Sequence, residues 1–501
     1  MSAADGAFPA TLWQTTPRIL VAAALGQIQP TTSPALQSLA RRLLLSPAEA
    51  PAGDDPATGP NLALLRVQTL TALGQVSDAM ALADQLHLRT DPEAVEQLRI
   101  QLRFVANDTD GGCQKIQEAI GRYQDVWWDR AFIACQALAG DQAKAAMGQA
   151  MLRERNAAPD APFDSLIDAV AGRPVKIDHM PNATPMDIAL LAATKLPLPM
   201  DTLLAADPSL LHEWATNPKI ANDRRLAAAE RAAYLGALSL DDLRDTYTEV
   251  SFKDAERKSV LAQSSDSPRS RAILYSIARE ETDPAVRAQA LNILLQAAHK
   301  QGTFPVTARL VTPLLLEINP APELAWFAPE VIRAFYVAAR PAEARQWLQL
   351  VDPQTAAALF PLARLAEGAS GPAWPAGGLE DVLNSIPAKD GAGANKLVLI
   401  AALFAASGET VTPSDWALVA GLPPVPAAPW PNAALVLDQR LAADNHRLGE
   451  TVLTILAICN AGNALTTQPA LLAQAVAGLR AVGLDADARS LAVEAAIDAG
   501  F

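Results

Sequence analysis

The chain has 501 residues, half of them hydrophobic and only 5% aromatic, with a formal net charge of −14. That length exceeds what one compact core usually needs. Lys and Arg are too few and too scattered for binding to nucleic-acid backbones or to an anionic membrane surface, and the longest uncharged apolar runs, near residues 397–407 and 452–461, fall short of the roughly 20 residues that span a bilayer.

The first residues, MSAADGAFPATLWQTTP, lack a basic n-region and an apolar h-region, so no signal peptide is expected. This fits a cytoplasmic protein, or the mature form of an exported one carrying an added Met1. Ala and Leu then supply most of the apolar content, and both favour helix. SPALQSLARRLLL (33–45) reads as an amphipathic helix. A Pro-rich break, APAGDDPATGPN (50–61), follows. Further breaks at 172–185, 370–378 and 421–432 divide the pattern, because proline cannot continue a helix interior. The expected segments are 1–61, 62–171 (with a cysteine-bearing hairpin), 172–378 and 379–501, forming one continuous run of helices.

Between residues 107 and 112, NDTDGG offers the look of a calcium loop. A calcium frame places Ala106 at the first ligand position and Gln117 where a bidentate carboxylate is required, so a polar turn is the expectation. The next two helices are CQKIQEAIGRY (113–123) and VWWDRAFIACQALA (126–139). Their turn is centred near Gln124 and Asp125, which leaves Cys113 and Cys135 almost equidistant from it. In an antiparallel pair such positions lie opposite each other, so a disulfide is geometrically open to them. It would require an oxidising compartment; two buried thiols are the alternative. Cys459 has no evident partner and is expected in the core. Of the adjacent Trp127 and Trp128, one is expected inside and the other on a groove or under a neighbouring loop; the plainer reading has both packed. Trp128, together with Trp374 and Trp430, each of the latter followed by Pro, is a candidate anchor for a partner; the alternative for the last two is pinning their own loops.

Farther along, HEWAT (212–216) lacks the second His of a zinc helix. Asp241 and Asp242 open a helix, as its dipole favours. ETDPAVRAQALNILLQAAHKQG (281–302) has Asp283 as N-cap, Pro284 in the first turn, a stripe of Val286, Ala290, Ile293 and Ala297, and Gly302 as stop. GASGP (368–372) and DGAGANK (390–396) fail as a nucleophile elbow and a phosphate loop. His87, His179, His212, His299 and His446 show no ligand spacing. No catalytic, metal or cofactor residues are therefore assigned, and no cofactor is expected.

Four stretches align without gaps: TALGQVSDAMALA (71–83), ALAGDQAKAAMGQ (137–149), VAARPAEARQWLQ (337–349) and AVGLDADARSLAV (481–493). Each places a small residue (Gly74, Gly140, Ala339, Gly483) five positions before an alanine (Ala79, Ala145, Ala344, Ala488). This resembles the tetratricopeptide repeat, and DPAVRAQAL resembles a HEAT-type second helix. The cysteine hairpin with its Trp pair is similar to a group of Ala-rich proteins of alphaproteobacteria. The resemblances imply an all-α solenoid of antiparallel helical hairpins without significant sheet. They further imply a non-catalytic scaffold for a protein or peptide partner, in a bacterial envelope assembly and hence periplasmic. The acidic excess points to a partner surface that is neutral or basic. Two other readings stand beside it: an α/α-toroid enzyme acting on a polysaccharide, with a carboxylate-lined pocket, and a purely structural subunit of a larger complex.

Overall fold

The computed structural model describes all residues except 54–60, 87–91, 155–159, 206, 263–265, 387–390, 423–431 and 460–467. Among the described residues the chain forms 28 α-helices and no strand; a single isolated bridge joins Pro17 and Ala52. The packing of helix on helix is consistent with a helical-repeat fold. No described helix is long and apolar enough to cross a membrane.

The small residues of the aligned stretches occupy left-handed backbone. Gly74, Gly140, Ala339 and Gly483 have φ of 71, 81, 55 and 81°, a region open to glycine and costly for most other residues. Their paired alanines, Ala79, Ala145, Ala344 and Ala488, are 0% exposed. Three further turns share this geometry: Asn107, Gly302 and His446, with φ of 60, 66 and 53°. Gly112, Thr307 and Thr451 occupy the buried fifth position there.

In all seven turns the next residue donates its N–H to the carbonyl five positions back, from Gln75 to Leu70 through Leu484 to Leu479, at 2.8–2.9 Å. This is the Schellman closure of a helix end. The same residue's carbonyl then accepts from the fifth position after the turn glycine or its substitute, as Gln75 does from Ala79 and Leu484 from Ala488. One residue thus ends one helix and starts the next. The linker is so short that the two helices must lie antiparallel, and a small side chain at the fifth position lets them approach.

The chain divides into two compact units. One comprises Pro60–Val250; the other joins Met1–Gly59 to Ser251–Phe501. In the second unit, helix Asp485–Asp498 packs against Pro34–Leu45, Phe304–Leu315, Ala328–Val337, Pro353–Glu367, Gly391–Ala406 and Pro469–Ala481. Every residue from Leu491 to Ile497 is buried, so this helix has no solvent face over two turns. It carries Glu494 inward, where the carboxylate accepts from Ser33 Oγ at 2.5 Å and the Ala35 N–H at 3.1 Å and pairs with Arg309 at 2.9 Å. Arg42 pairs with Asp487 at 2.8 Å, and the Gly449 N–H donates to the Leu12 carbonyl at 3.1 Å. The first residues of the chain are thereby docked on its last hairpins.

Helix Pro284–Gln301 bears out its expected ends: Asp283 accepts from the Ala285 N–H, and Gly302 closes in the left-handed region. Its buried face differs from the expected stripe. Ala288, Leu291, Leu294, Leu295 and Ala298 are buried with Ala290, while Val286, Ile293 and Ala297 are only partly covered. Neighbours on two sides bury the larger leucines.

Glu213, the acidic residue of HEWAT, is 0% exposed, and neither carboxyl oxygen has a hydrogen-bond partner. Burial, aided by the charge of Asp187, pushes its carboxyl well above the usual range. The folded state therefore holds a proton that the unfolded chain releases above its ordinary pKa, so stability falls as pH rises from about 4.5 toward the folded value. Glu213→Leu is expected to raise the melting temperature at neutral pH by a few degrees, and the gain should vanish near pH 4. Thermal scans across that range check this; a gain independent of pH would show that packing, not ionisation, is responsible.

Candidate functional site

Within Pro60–Val250 the turn residues Gly74, Asn107 and Gly140 fall 33 residues apart. They join helix Leu62–Ala72 to Val76–Asp84, Pro92–Val105 to Thr109–Ala119, and Val126–Leu138 to Gln142–Glu154. Polar caps fix the helix starts: Asp108 accepts from the Gly111 N–H at 3.0 Å, and Asp125 from the Trp127 N–H at 2.7 Å. Across the last hairpin's inner face, a Cβ on Gly148 would lie 2.5 Å from Ile133 Cγ1, so only glycine allows that approach.

The first two hairpins enclose a recess of about 570 Å³. Leu86, Val95 and Ile100 give it apolar wall. Its charged lining comprises Arg99, Arg103, Lys115 and Arg122 against Asp84 and Glu96, an excess of cations in a strongly acidic chain. Each cation is held in place. Arg99 donates to the Ala83 and Leu86 carbonyls, both at 2.8 Å from Nη2, capping the carbonyl end of Val76–Asp84 where positive charge is favoured. Arg103 pairs with Asp108 at 2.6 Å, Lys115 with Glu118 at 2.7 Å and Arg122 with Glu96 at 3.2 Å. Tyr123 Oη donates to the same Glu96 at 2.8 Å. These surface pairs are individually weak, so an incoming carboxylate can compete for their cations.

The wall behind the recess is the core around the disulfide. Cys113 and Cys135 are bonded, with Cα atoms 5.5 Å apart and a sequence separation of 22. The first helix ends at Ala119, earlier than the sequence pattern suggests, and residues 120–125 form the link. Trp128 lies in this core with Phe104, Ile116 and Cys135.

Trp128 corrects an expectation. It is 2% exposed and cannot meet a partner as an exposed anchor. Its ring stacks on Tyr123 at 4.9 Å, and its Nε1 donates to Glu93 Oε1 at 2.9 Å, so both its apolar body and its one donor are satisfied inside. Trp127 is partly buried against the same core. Trp374 is half-buried. It contacts Phe360 and Phe404 at 5.3 and 5.0 Å, lies under Arg364 at 5.5 Å and donates to Glu409 at 3.1 Å, which ties its own loop down. Trp430 lies outside the described residues.

The histidines do not converge. His212 Nδ1 and His446 Nδ1 lie 2.7 Å from the carbonyls of Ala237 and Ala481, His179 is exposed beside Asp201, and His87 lies outside the described residues. Cys459 is buried and free, its thiol pushed up to about 12 by burial. Among the described residues no group of His, Cys, Asp and Glu is arranged to hold a metal. The cations of the recess escaped the sequence reading, although Arg99 and Arg103 stand four apart on one helix face. The chain matches no known protein family and no curated protein.

Proposed function

We propose that the protein is a non-catalytic helical-repeat scaffold that holds an acidic peptide segment of a partner in the recess of Pro60–Val250. The observation that carries this reading is the lining of four cations and two carboxylates, set between hairpins of 33-residue period. Whole-chain charge points toward a basic partner, but recognition depends on the charge facing the ligand, and here that charge favours an anion. The apolar wall suits an aliphatic side chain between the acidic ones. The disulfide supports an exported setting, since such bonds persist in oxidising compartments, and an envelope assembly is the proposed context.

The experiment is fluorescence anisotropy with a labelled peptide of alternating Glu and Leu and its Lys counterpart. The acidic peptide is expected to bind with an affinity that falls with salt, and Lys115→Glu with Arg122→Glu should weaken it roughly 10-fold, a loss of about 1.4 kcal/mol. Equal binding of the basic peptide, or no response to the two charge reversals, would sink the proposal.

A further inference from the structure

The unit formed by residues 1–59 and 251–501 holds a separate recess of about 460 Å³, a size that suits a small molecule. His299 and Gly302 reach it from the end of helix Pro284–Gln301, Glu330 and Arg333 from Ala328–Val337, Asp498 from Asp485–Asp498, and Thr32 from the segment before Pro34–Leu45. Two of these helices end at the recess, and helix carbonyl ends carry partial negative charge.

Three of the lining groups satisfy one another. His299 Nε2 lies 3.1 Å from Glu330 Oε2, and Arg333 pairs with Glu330 Oε1 at 3.2 Å. Burial opposes ionisation of Glu330, but the His299 hydrogen bond and the charges of Arg333 and His299 hold its carboxyl below the usual value. Arg333 Nε also donates to the Phe501 carbonyl at 2.9 Å, and the His299 ring stacks on Phe304 at 3.9 Å.

Asp498 stands apart. Among the described residues no cation lies within ion-pair distance of it. Glu494, one turn earlier on the same helix, adds like charge. The cations on the surrounding helices have other partners. Arg309 pairs with Glu494 and Arg42 with Asp487. Lys396 Nζ donates to the Gly500 carbonyl at 2.6 Å over the Phe501 ring. Arg364 pairs with Glu409, Glu367 with Arg345, and Arg480 with Asp485.

We propose that this recess binds an organic cation, a primary ammonium or guanidinium group, with Asp498 as its counter-charge and two helix ends as its neutral acceptors. A hard divalent ion would need six or more oxygen ligands, which one unpaired carboxylate does not approach. Desolvation by the recess wall and the Glu494 charge push the Asp498 carboxyl up to about 7, but the residue is exposed at the rim, so solvent tempers that rise. A bound cation favours the ionised form, so binding releases a proton below that value and strengthens as pH rises through it. The same group can arrive on a free amine or on a Lys or Arg side chain.

The test is isothermal titration of the full chain with n-butylammonium and n-butylguanidinium, near pH 6 and pH 8, in buffers of different ionisation enthalpy. Saturable binding at low-millimolar concentration is expected, stronger at the higher pH, with proton release at the lower. Asp498→Asn should weaken it roughly 10-fold while far-UV circular dichroism stays unchanged, as the residue is exposed. A Lys-bearing peptide that binds tighter than n-butylammonium, and loses binding on Nε-acetylation, would assign the cation to a protein side chain; equal or weaker binding would assign it to a free amine. No saturable binding of either probe, equal binding by Asp498→Asn, or equal binding of n-butanol would overturn the proposal.

Discussion

Reduction of the Cys113–Cys135 bond is expected to lower the melting temperature of the Pro60–Val250 unit by roughly 6–12 °C. The bond closes a segment of 22 residues, and restricting the unfolded chain over such a loop is worth about 3 kcal/mol; each kcal/mol moves the midpoint of a domain this size by about 2–4 °C. The bond also sits in the core that contains Trp128 and Phe104, so Cys113→Ser should reproduce the loss without reductant. Mass spectrometry of non-reduced protein from its native compartment should show the linked peptide. Finding both thiols alkylated without reductant would remove the staple and the case for export with it. Cys459, buried and with its thiol pushed up to about 12, should resist alkylation until the protein unfolds, and Cys459→Ser should act through packing alone.

A larger loss is expected from Gly74→Ala, about 2–5 kcal/mol. The residue has φ of 71°, which costs a side chain about 1–2 kcal/mol. An added Cβ would also lie 2.2 Å from Ala237 Cβ and 2.9 Å from Pro208 Cβ, an overlap of the kind that costs about 1–3 kcal/mol when a core is overpacked. Gly140 separates the two contributions. Its φ is 81°, but nothing lies within 4 Å of an added Cβ, so Gly140→Ala should lose only the conformational part. Urea midpoints for the two variants, at unchanged slope, check the difference. Equal losses would mean that the turn's contact with Ala237 contributes nothing.

The all-helical fold was legible because Ala and Leu periodicity and breaks at Gly and Pro are local signals. The hairpin turns were half legible. Gly74, Gly140 and Gly483 announce left-handed backbone by being glycine, while Asn107 and His446 adopt it with side chains. Gly302 read as a helix stop, but Thr307 at its fifth position hid the kinship. Periodicity also misjudged helices covered on more than one side, since Leu491 to Ile497 of Asp485–Asp498 are all buried and offer no polar face to mark their register. Trp128 was misplaced because adjacency says only that two side chains diverge; Glu93, which takes its indole proton, lies 35 residues earlier. The cation-lined recess was obscured by net charge, a sum over the chain that says nothing of which charges meet. Asp498 meets His299 and Glu330 only through the fold.

The docking of the first residues on the last hairpins bears on the order of assembly. Ser33 and Glu494 are 461 residues apart in sequence, and contacts so remote form slowly, because loop closure precedes their reward. The contiguous stretch Pro60–Val250 forms one compact unit without such remote closures within it and can fold first. Its folding shortens the effective loop that the other unit must close. During synthesis from the N-terminus, Met1–Gly59 must wait without its packing surface until helix Asp485–Asp498 emerges. The chain should therefore tolerate new termini at the exposed Gly53 better than loss of its opening helices, since a circular permutant would place those helices next to the hairpins they cover.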